Sequence, residues 1–247
     1  MKNGPEALVI QRRDLLILRS LGTLRILDRV QIEQLAGFHS ISRVNVRLSK
    51  LRKAGLIYRY YTATSTGGRR SVYSLSKRGA LEVHAPSAPL KWRRDSFVLG
   101  NAFVAHQLGL NDLIIAASGE GIRWQRPSSI LSPTIRLIPD AYIADGERSF
   151  FVELDLGSES LSVWTEKTSA YVKLAVTGEF RNVIPHSQFA VMVVADDDSR
   201  LETLRRHISK QTQKLFWFST LDTIKRQGFW SASWLRATGE IRSLPGA

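Results

Sequence analysis

Apolar residues recur at helical spacing from Gln11 onward, at Leu15, Leu18, Leu21 and Leu24, which predicts a first helix with one buried stripe. Asp28 stands where an N-cap would open a second helix over Arg29–Ala36, and Gly37-Phe38-His39 supplies a turn. Ser40 can cap a third helix that runs to about Ala54, with Ile41, Val44, Leu48 and Leu51 as its apolar stripe and Gly55 as its stop. The hydrophobic pattern then changes from a helical to an alternating one. Residues 56–61 and 71–76 read as strands, and residues 62–70 between them, with Gly67-Gly68 followed by Arg69-Arg70, read as a hairpin tip.

Residues 85–95 carry Pro86, Pro89 and the basic run Lys91-Trp92-Arg93-Arg94, and read as a linker. Beyond it, residues 97–118 have helical periodicity, and residues 122–125 and 130–131 look like short extended pieces. Residues 137–144 and 149–156 predict a hairpin around Asp145-Gly146, and residues 159–176 a helix. A buried strand over 189–195, a basic helix over 200–214 and a strand over 215–219 complete the pattern. The class is α/β in its second half and α+β overall, with one domain over residues 1–90 and a second over 91–247.

Charge sharpens this division. Of the 35 Lys/Arg and 22 Asp/Glu in the 247 residues, residues 1–96 hold 19 and 6, so residues 97–247 hold 16 of each and the whole net charge of +13 lies in the first part. So local an excess is the footprint of a polyanion-binding module, with double-stranded DNA the first candidate partner. The outer face of the third helix offers Ser42, Arg43, Asn45, Arg47, Ser49, Lys50 and Lys53 as donors to a major groove, with Val46 among them, and Arg69 and Arg70 extend the set into the hairpin. Helix, turn, helix and basic hairpin over residues 11–84 resemble the winged helix-turn-helix domains of bacterial DNA-binding proteins.

Several chemistries are excluded. The chain has no cysteine, and its five histidines are widely separated, which leaves neither a thiol nucleophile nor the paired spacing of a zinc site. Nucleophile-elbow, phosphate-loop and dinucleotide-binding motifs are missing as well. Apolar runs fall far short of the roughly 20 residues of a membrane span, so no membrane association and a cytoplasmic location are expected.

In the second half Glu153 and Asp155 lie two apart on one strand face, beside Asp140 if the hairpin pairs in its simplest register. Three carboxylates on one face repel unless a cation, a proton or basic neighbours relieve them. Mg²⁺ or Mn²⁺, which prefer oxygen ligands, would suit such a cluster, and otherwise no cofactor is expected. Asp196-Asp197-Asp198 before a helix reads as a complement to its dipole. Arg205, Arg206, Lys210 and Lys214 form a basic helical edge, and Trp217, Trp230 and Trp234 read as core or interface residues.

Asp140 followed by Glu153-x-Asp155 resembles the PD-(D/E)xK nuclease fold, a restriction-endonuclease-like mixed sheet flanked by helices. That resemblance implies Asp140 and Glu153 as metal ligands and, with Asp155 and Lys167, as the catalytic set. Position 155 holds Asp where the pattern has Lys. Lys167 on the following helix, four residues before Tyr171 and on the same face, is the available replacement. The longer string Phe150-Phe151-Val152-Glu153-Leu154-Asp155-Leu156-Gly157-Ser158-Glu159, then Lys167 and Tyr171, with the winged helix upstream and His106 in a helix, resembles the replication-relaxation family of plasmids and other mobile elements, over about residues 11 to 218.

This resemblance implies a DNA-binding accessory protein for replication, relaxation or transfer, with a nuclease-like second domain whose pattern is degenerate at position 155 and whose cutting activity the resemblance leaves open. A Mg²⁺-dependent endonuclease targeted by the winged helix and a winged-helix transcriptional repressor are the alternatives. Further candidate partners are a second copy of the chain and replication, transfer or recombination proteins. In the accessory reading Asp140, Glu153, Asp155 and Lys167 form a polar network that holds the helix on the sheet.

Overall fold

The stripe that starts the sequence pattern also starts the first core. Leu18, Leu21 and Leu24 of helix α1 (Arg12–Leu24) are buried as the stripe predicts, with Ile17 in place of the half-buried Leu15; α1 packs on α2 (Arg29–Ala36), and α2 on α3 (Ile41–Lys53). The computed structural model describes residues 8–63, 67–85, 101–119, 121–127, 132 and 134–244, and the chain divides into two units, Met1–Asn111 and Asp112–Ala247.

In the first unit Asp28 caps α2 by accepting from the Gln31 N–H, and Gly37 ends it in the left-handed conformation at φ 60°. Ser40 caps α3 by accepting from the Arg43 N–H, and Val44, Leu48 and Leu51 are its buried stripe. Strands β2 (Ile57–Ala63) and β3 (Arg69–Leu75) form the expected hairpin, with Ile57 opposite Leu75 and Ala63 opposite Arg69. A short strand, β1 (Ile26–Asp28), pairs with β3 and completes a sheet of order β1-β3-β2. The sequence pattern does not mark β1, because it is only three residues long and all three are buried, so it has no alternation to read. Three helices and a hairpin whose sheet closes on a strand between the first two helices make a winged helix-turn-helix.

Helix α4 (Lys77–Glu82) follows, capped by Ser76. Helix α5 (Asn101–Ala117) comes after residues 86–100, and most of the expected linker lies outside the described residues. The division between the units falls inside α5, beyond the residue-90 boundary of the sequence reading. The reason is local packing: Val104 and Leu108 share a buried cluster with Ile26 and Val72, and Asn111 Nδ2 donates to the Ile26 carbonyl at 2.6 Å.

The second unit is built on a mixed sheet, seven-stranded among the described residues. Its strands are β4 (Arg123–Gln125), β5 (Ala141–Ala144), β6 (Ser149–Asp155), β7 (Ala190–Ala195), β8 (Phe216–Thr220), β9 (Trp234–Arg236) and β10 (Ile241–Arg242), lying side by side in chain order. Strands β4, β5 and β6 run antiparallel, β6, β7 and β8 parallel, and β8, β9 and β10 antiparallel again. Parallel neighbours need crossovers, and these are α6 (Leu161–Thr177) between β6 and β7, and α7 (Asp198–Ser209) between β7 and β8. This is the mixed sheet with flanking helices that the sequence implies. Helix α7 ends at Ser209, short of the expected 214, and residues 130–131 lie outside the described set.

Odd-numbered positions of β6 face α6 and α7. Phe151 there joins Trp164, Tyr171, Leu174, Val191, Val193, Leu204, Ile208, Phe216 and Phe218 in one apolar cluster. Phe150 faces the other way and meets Phe229 and Trp230, with ring centroids 6.5 and 5.7 Å away. Trp234 is fully buried, so it serves the core.

Gly79 has no room for a side chain. A Cβ there would lie 2.1 Å from the Leu56 carbonyl oxygen, a backbone atom fixed by the Ser76 N–H it accepts. Gly79→Ala is expected to cost about 2–3 kcal/mol by overpacking, read as a lower midpoint in denaturant unfolding. An unchanged midpoint would mean that α4 shifts without penalty.

Candidate functional site

Two groups of charged side chains stand out, one in each unit. On α3, Ser42, Arg43, Asn45, Lys50 and Lys53 are exposed, and Ser49 is half-buried. Arg69, also exposed, stands at the start of β3, on the wing. The helical period places these α3 residues away from the Val44-Leu48-Leu51 stripe, and the caps at Ser40 and Ala54 fix how far the face extends.

Two arginines of the sequence-derived set do not belong to that outer face. Arg47 turns inward, where its guanidinium pairs with fully buried Asp14 of α1 and also donates to the Val9 carbonyl at 3.0 Å. Arg70 pairs with Asp28, whose other oxygen caps α2. Both are structural ties. Position 47 precedes the buried Leu48 and thus lies on the flank that α1 covers, whereas Arg70 is opposite Thr62 in a strand whose neighbour β1 ends at Asp28. Asn45 Oδ1 accepts a long 3.5 Å bond from Arg29.

The second group is buried. The β5–β6 hairpin pairs Ala141 with Val152, so Asp140 falls opposite Glu153 in the simplest register, as the sequence predicts. Asp140 Oδ2 accepts from the Leu154 N–H at 2.8 Å. Glu153 and Asp155, each 1% exposed, project from β6 into the side covered by helices. Glu153 accepts from Tyr171 OH at 2.5 Å and from Lys167 Nζ at 3.0 Å. Lys167 also donates to both oxygens of Glu159, at 2.7 Å, and lies over the Trp164 ring. The one-turn spacing of Lys167 and Tyr171 thus brings both onto a single carboxylate.

Asp155 is held separately. Trp164 Nε1 donates to Oδ2 at 2.5 Å, Arg200 Nη2 to the same oxygen at 2.7 Å, Arg200 Nε to Oδ1 at 3.1 Å, and the Gly157 N–H to Oδ1 at 2.6 Å. Sequence reasoning missed Arg200, Trp164 and Glu159 as members of this network. A signal for Arg200 was present: it lies in the first turn of the helix after β7, and β7 runs parallel to β6 with Ala195 beside Asp155.

The electrostatics follow from this packing. Burial pushes the Glu153 carboxyl up to about 7, with Asp140 adding to the rise, against the pull of Lys167 and the hydrogen bond from Tyr171. Burial would raise Asp155 too, but Arg200, Trp164 and the Gly157 amide outweigh it and hold that carboxyl below its ordinary range. Lys167 is moved up despite its burial, because Glu153 and Glu159 favour the ammonium. Tyr171 is raised well above the usual phenol value by burial and by Glu153.

A divalent cation does not fit these residues as they stand. Among the described residues no group of three or more acidic or histidine side chains could hold a metal ion. Asp155 is turned to Arg200 and Trp164, both Glu153 oxygens already accept from a cation or a phenol, and an ammonium lies 3.0 Å from Oε2 where a metal would have to approach. Of the three carboxylates expected on one face, Glu153 and Asp155 are therefore drawn into separate ion pairs with Lys167 and Arg200, and Asp140, one of the two expected metal ligands with Glu153, accepts from the Leu154 N–H. Three of the other charged candidates also have partners. Asp197 caps α7 by accepting from the Arg200 N–H, and Arg205 and Arg206 pair with Glu202 of their own helix.

A family model described as replication-relaxation matches residues 18–186. No curated protein matches the chain. Among solved structures the chain is similar to one described as "Crystal structure of NadR in complex with 4-hydroxyphenylacetate", at 25% identity and a TM-score of 0.26, over 39% of this chain and 67% of that one. No helix among the described residues is long and apolar enough to cross a membrane.

The Glu153 shift has a definite sign. A carboxyl at about 7 in the folded chain and 4.5 when unfolded binds more protons folded than unfolded between those values. Its contribution to stability is therefore full below about pH 4.5 and lost as pH rises through about 7. Glu153→Gln is expected to flatten that part of the stability profile, measured as denaturant midpoint against pH. The same slope in the variant and the natural protein would show that Glu153 is not its source.

Proposed function

We propose that this chain, which belongs to the replication-relaxation family, is a DNA-binding accessory protein that docks duplex DNA on α3 and the β2–β3 wing. The observation that carries the reading is the exposed row Ser42, Arg43, Lys50 and Lys53 on the third helix of a winged helix-turn-helix, in the part of the chain that holds the entire net charge of +13. An α-helix fits a major groove, where Arg and Lys donate to guanine edges and phosphates. Arg69 extends the contact along the wing, and phosphate contacts set register while base contacts select sequence.

In this reading the second unit supports assembly on replication, relaxation or transfer intermediates of a mobile element. Asp140, Glu153, Asp155 and Lys167 act as a structural network and carry no hydrolysis. What supports this is that Lys167 is committed to two carboxylates and Asp155 to an arginine, so that neither is open to activate water or to hold Mg²⁺ or Mn²⁺.

Duplex binding measured by fluorescence anisotropy is expected to weaken steeply with salt, as counterion release requires. Arg43→Ala or Lys50→Ala should cost about 1–3 kcal/mol of affinity where the side chain meets a base or phosphate, with no change in unfolding midpoint. Arg47→Ala should instead lower stability by about 3–5 kcal/mol, because it leaves buried Asp14 unpaired. Unchanged affinity in both outer-face variants would overturn the docking assignment. With Mg²⁺ or Mn²⁺, supercoiled plasmid should stay intact. Cutting that disappears in Asp140→Ala would replace the accessory reading by a hydrolytic one.

A further inference from the structure

We infer that the cleft between α3 and the base of the wing is a seat for one phosphate of the bound duplex, gripped by Arg29, Arg52 and Arg59. The inference rests on the DNA-docking reading and adds to it residues that the outer face of α3 does not include. The cleft has a volume of about 210 Å³, and its lining contains these three arginines with Ser49 and Ser71 and no carboxylate. That volume is below the roughly 300 Å³ at which pockets begin to suit drug-sized ligands, and the lining is rich in donors. A small anion meets both conditions.

The three arginines reach the cleft from separate elements: Arg29 opens α2, Arg52 lies in the last turn of α3, and Arg59 lies in β2. Like charges gathered in one place repel, and a folded protein ordinarily offsets them with acids. Arg47 and Arg70 are offset in this way, by Asp14 and Asp28. Arg29, Arg52 and Arg59 form no ion pair among the described residues. Arg29 has only the long bond to Asn45, and Arg59 lies 5.0 Å from the centroid of the Tyr61 ring. A helix dipole accounts for a basic residue in the last turn of α3, but not for Arg29 and Arg59 converging on the same space. Guanidinium forks match phosphate oxygens in pairs, and the serine hydroxyls add donors.

Position selects the source of the phosphate. In this unit the cleft lies between the helix that would enter the major groove and the wing beside it, where the sugar-phosphate strand that separates two grooves has to pass. The seat therefore belongs to the backbone of the bound duplex and carries no base preference.

The test uses the full chain, with salt titrations of duplex binding for the natural protein, Arg52→Ala and Arg59→Ala. Loss of one phosphate contact should reduce the magnitude of the slope of log affinity against log salt by about 0.9, weaken target and unrelated duplexes by the same factor, and leave the unfolding midpoint unchanged. A duplex with single uncharged methylphosphonate linkages supplies the second arm. One position should weaken the natural protein and have no further effect on Arg59→Ala. Slopes unchanged in both variants, or losses that simply add for the variant and the neutral linkage, would overturn the seat while leaving salt-sensitive DNA docking intact. Stabilisation by inorganic phosphate that depends on Arg59, with additive losses on DNA, would assign the cleft to a free anion and overturn the backbone assignment. A natural protein that binds no duplex at any salt would overturn the docking reading itself.

Discussion

Two carboxylates on the helix-covered side of β6 set the terms for the second unit. Moving one charge out of water costs several kcal/mol even after relaxation, and Glu153 and Asp155 are both buried beneath α6 and α7. Each must be met by a partner from a covering helix, so the helices have little freedom in where they sit. Lys167 and Tyr171 fix α6 over Glu153, Trp164 fixes its first turn over Asp155, and Arg200 fixes the start of α7 over the same residue. The apolar cluster supplies the bulk of the burial, but it is non-directional. The charge pairs supply register.

The first unit applies the same economy to its arginines and in doing so separates structure from surface. Arg47 and Arg70 each satisfy a buried aspartate, and both aspartates also serve the backbone, Asp14 accepting from the Gln11 N–H and Asp28 capping α2. Removing either arginine would strand an acid in the core. Arg43, Lys50 and Lys53 are exposed and enter no ion pair among the described residues. A count of basic residues along α3 cannot make this distinction, because neighbours in sequence differ in role according to which helix lies against them.

That distinction explains what was legible from sequence. The helices of the winged helix, their caps at Asp28 and Ser40 and the hairpin follow from local pattern, since the stripe at Val44, Leu48 and Leu51 and the turn at Gly37 are properties of a few adjacent residues. The register placing Asp140 opposite Glu153 was legible for the same reason, as was the shared face of Lys167 and Tyr171. Contacts between distant segments were not. Arg200 finds Asp155 only because β7 lies parallel to β6, Arg47 finds Asp14 across 33 residues, and α5 joins the first unit through Asn111 and Ile26, 85 residues apart. The Arg29, Arg52 and Arg59 cleft is of this second kind, drawn from three elements.

The aspartate at position 155 has consequences for the helices that cover it. A lysine in the strand would bring a cation to the Glu153 side of the sheet from within β6, leaving the covering helices free of ionic duty. With an aspartate there, β6 carries two acids in alternate positions and no base. The neutralising charges must come from outside the strand, and α6 and α7 are the elements that reach it. Lys167, shared between Glu153 and Glu159, is then held on both sides, and a shared ammonium kept charged by two carboxylates is a poor base. Two acids in alternate positions of one strand thus make Lys167 and Arg200 the fasteners of two crossover helices, and the register of α6 and α7 over the sheet follows from where β6 places its charges.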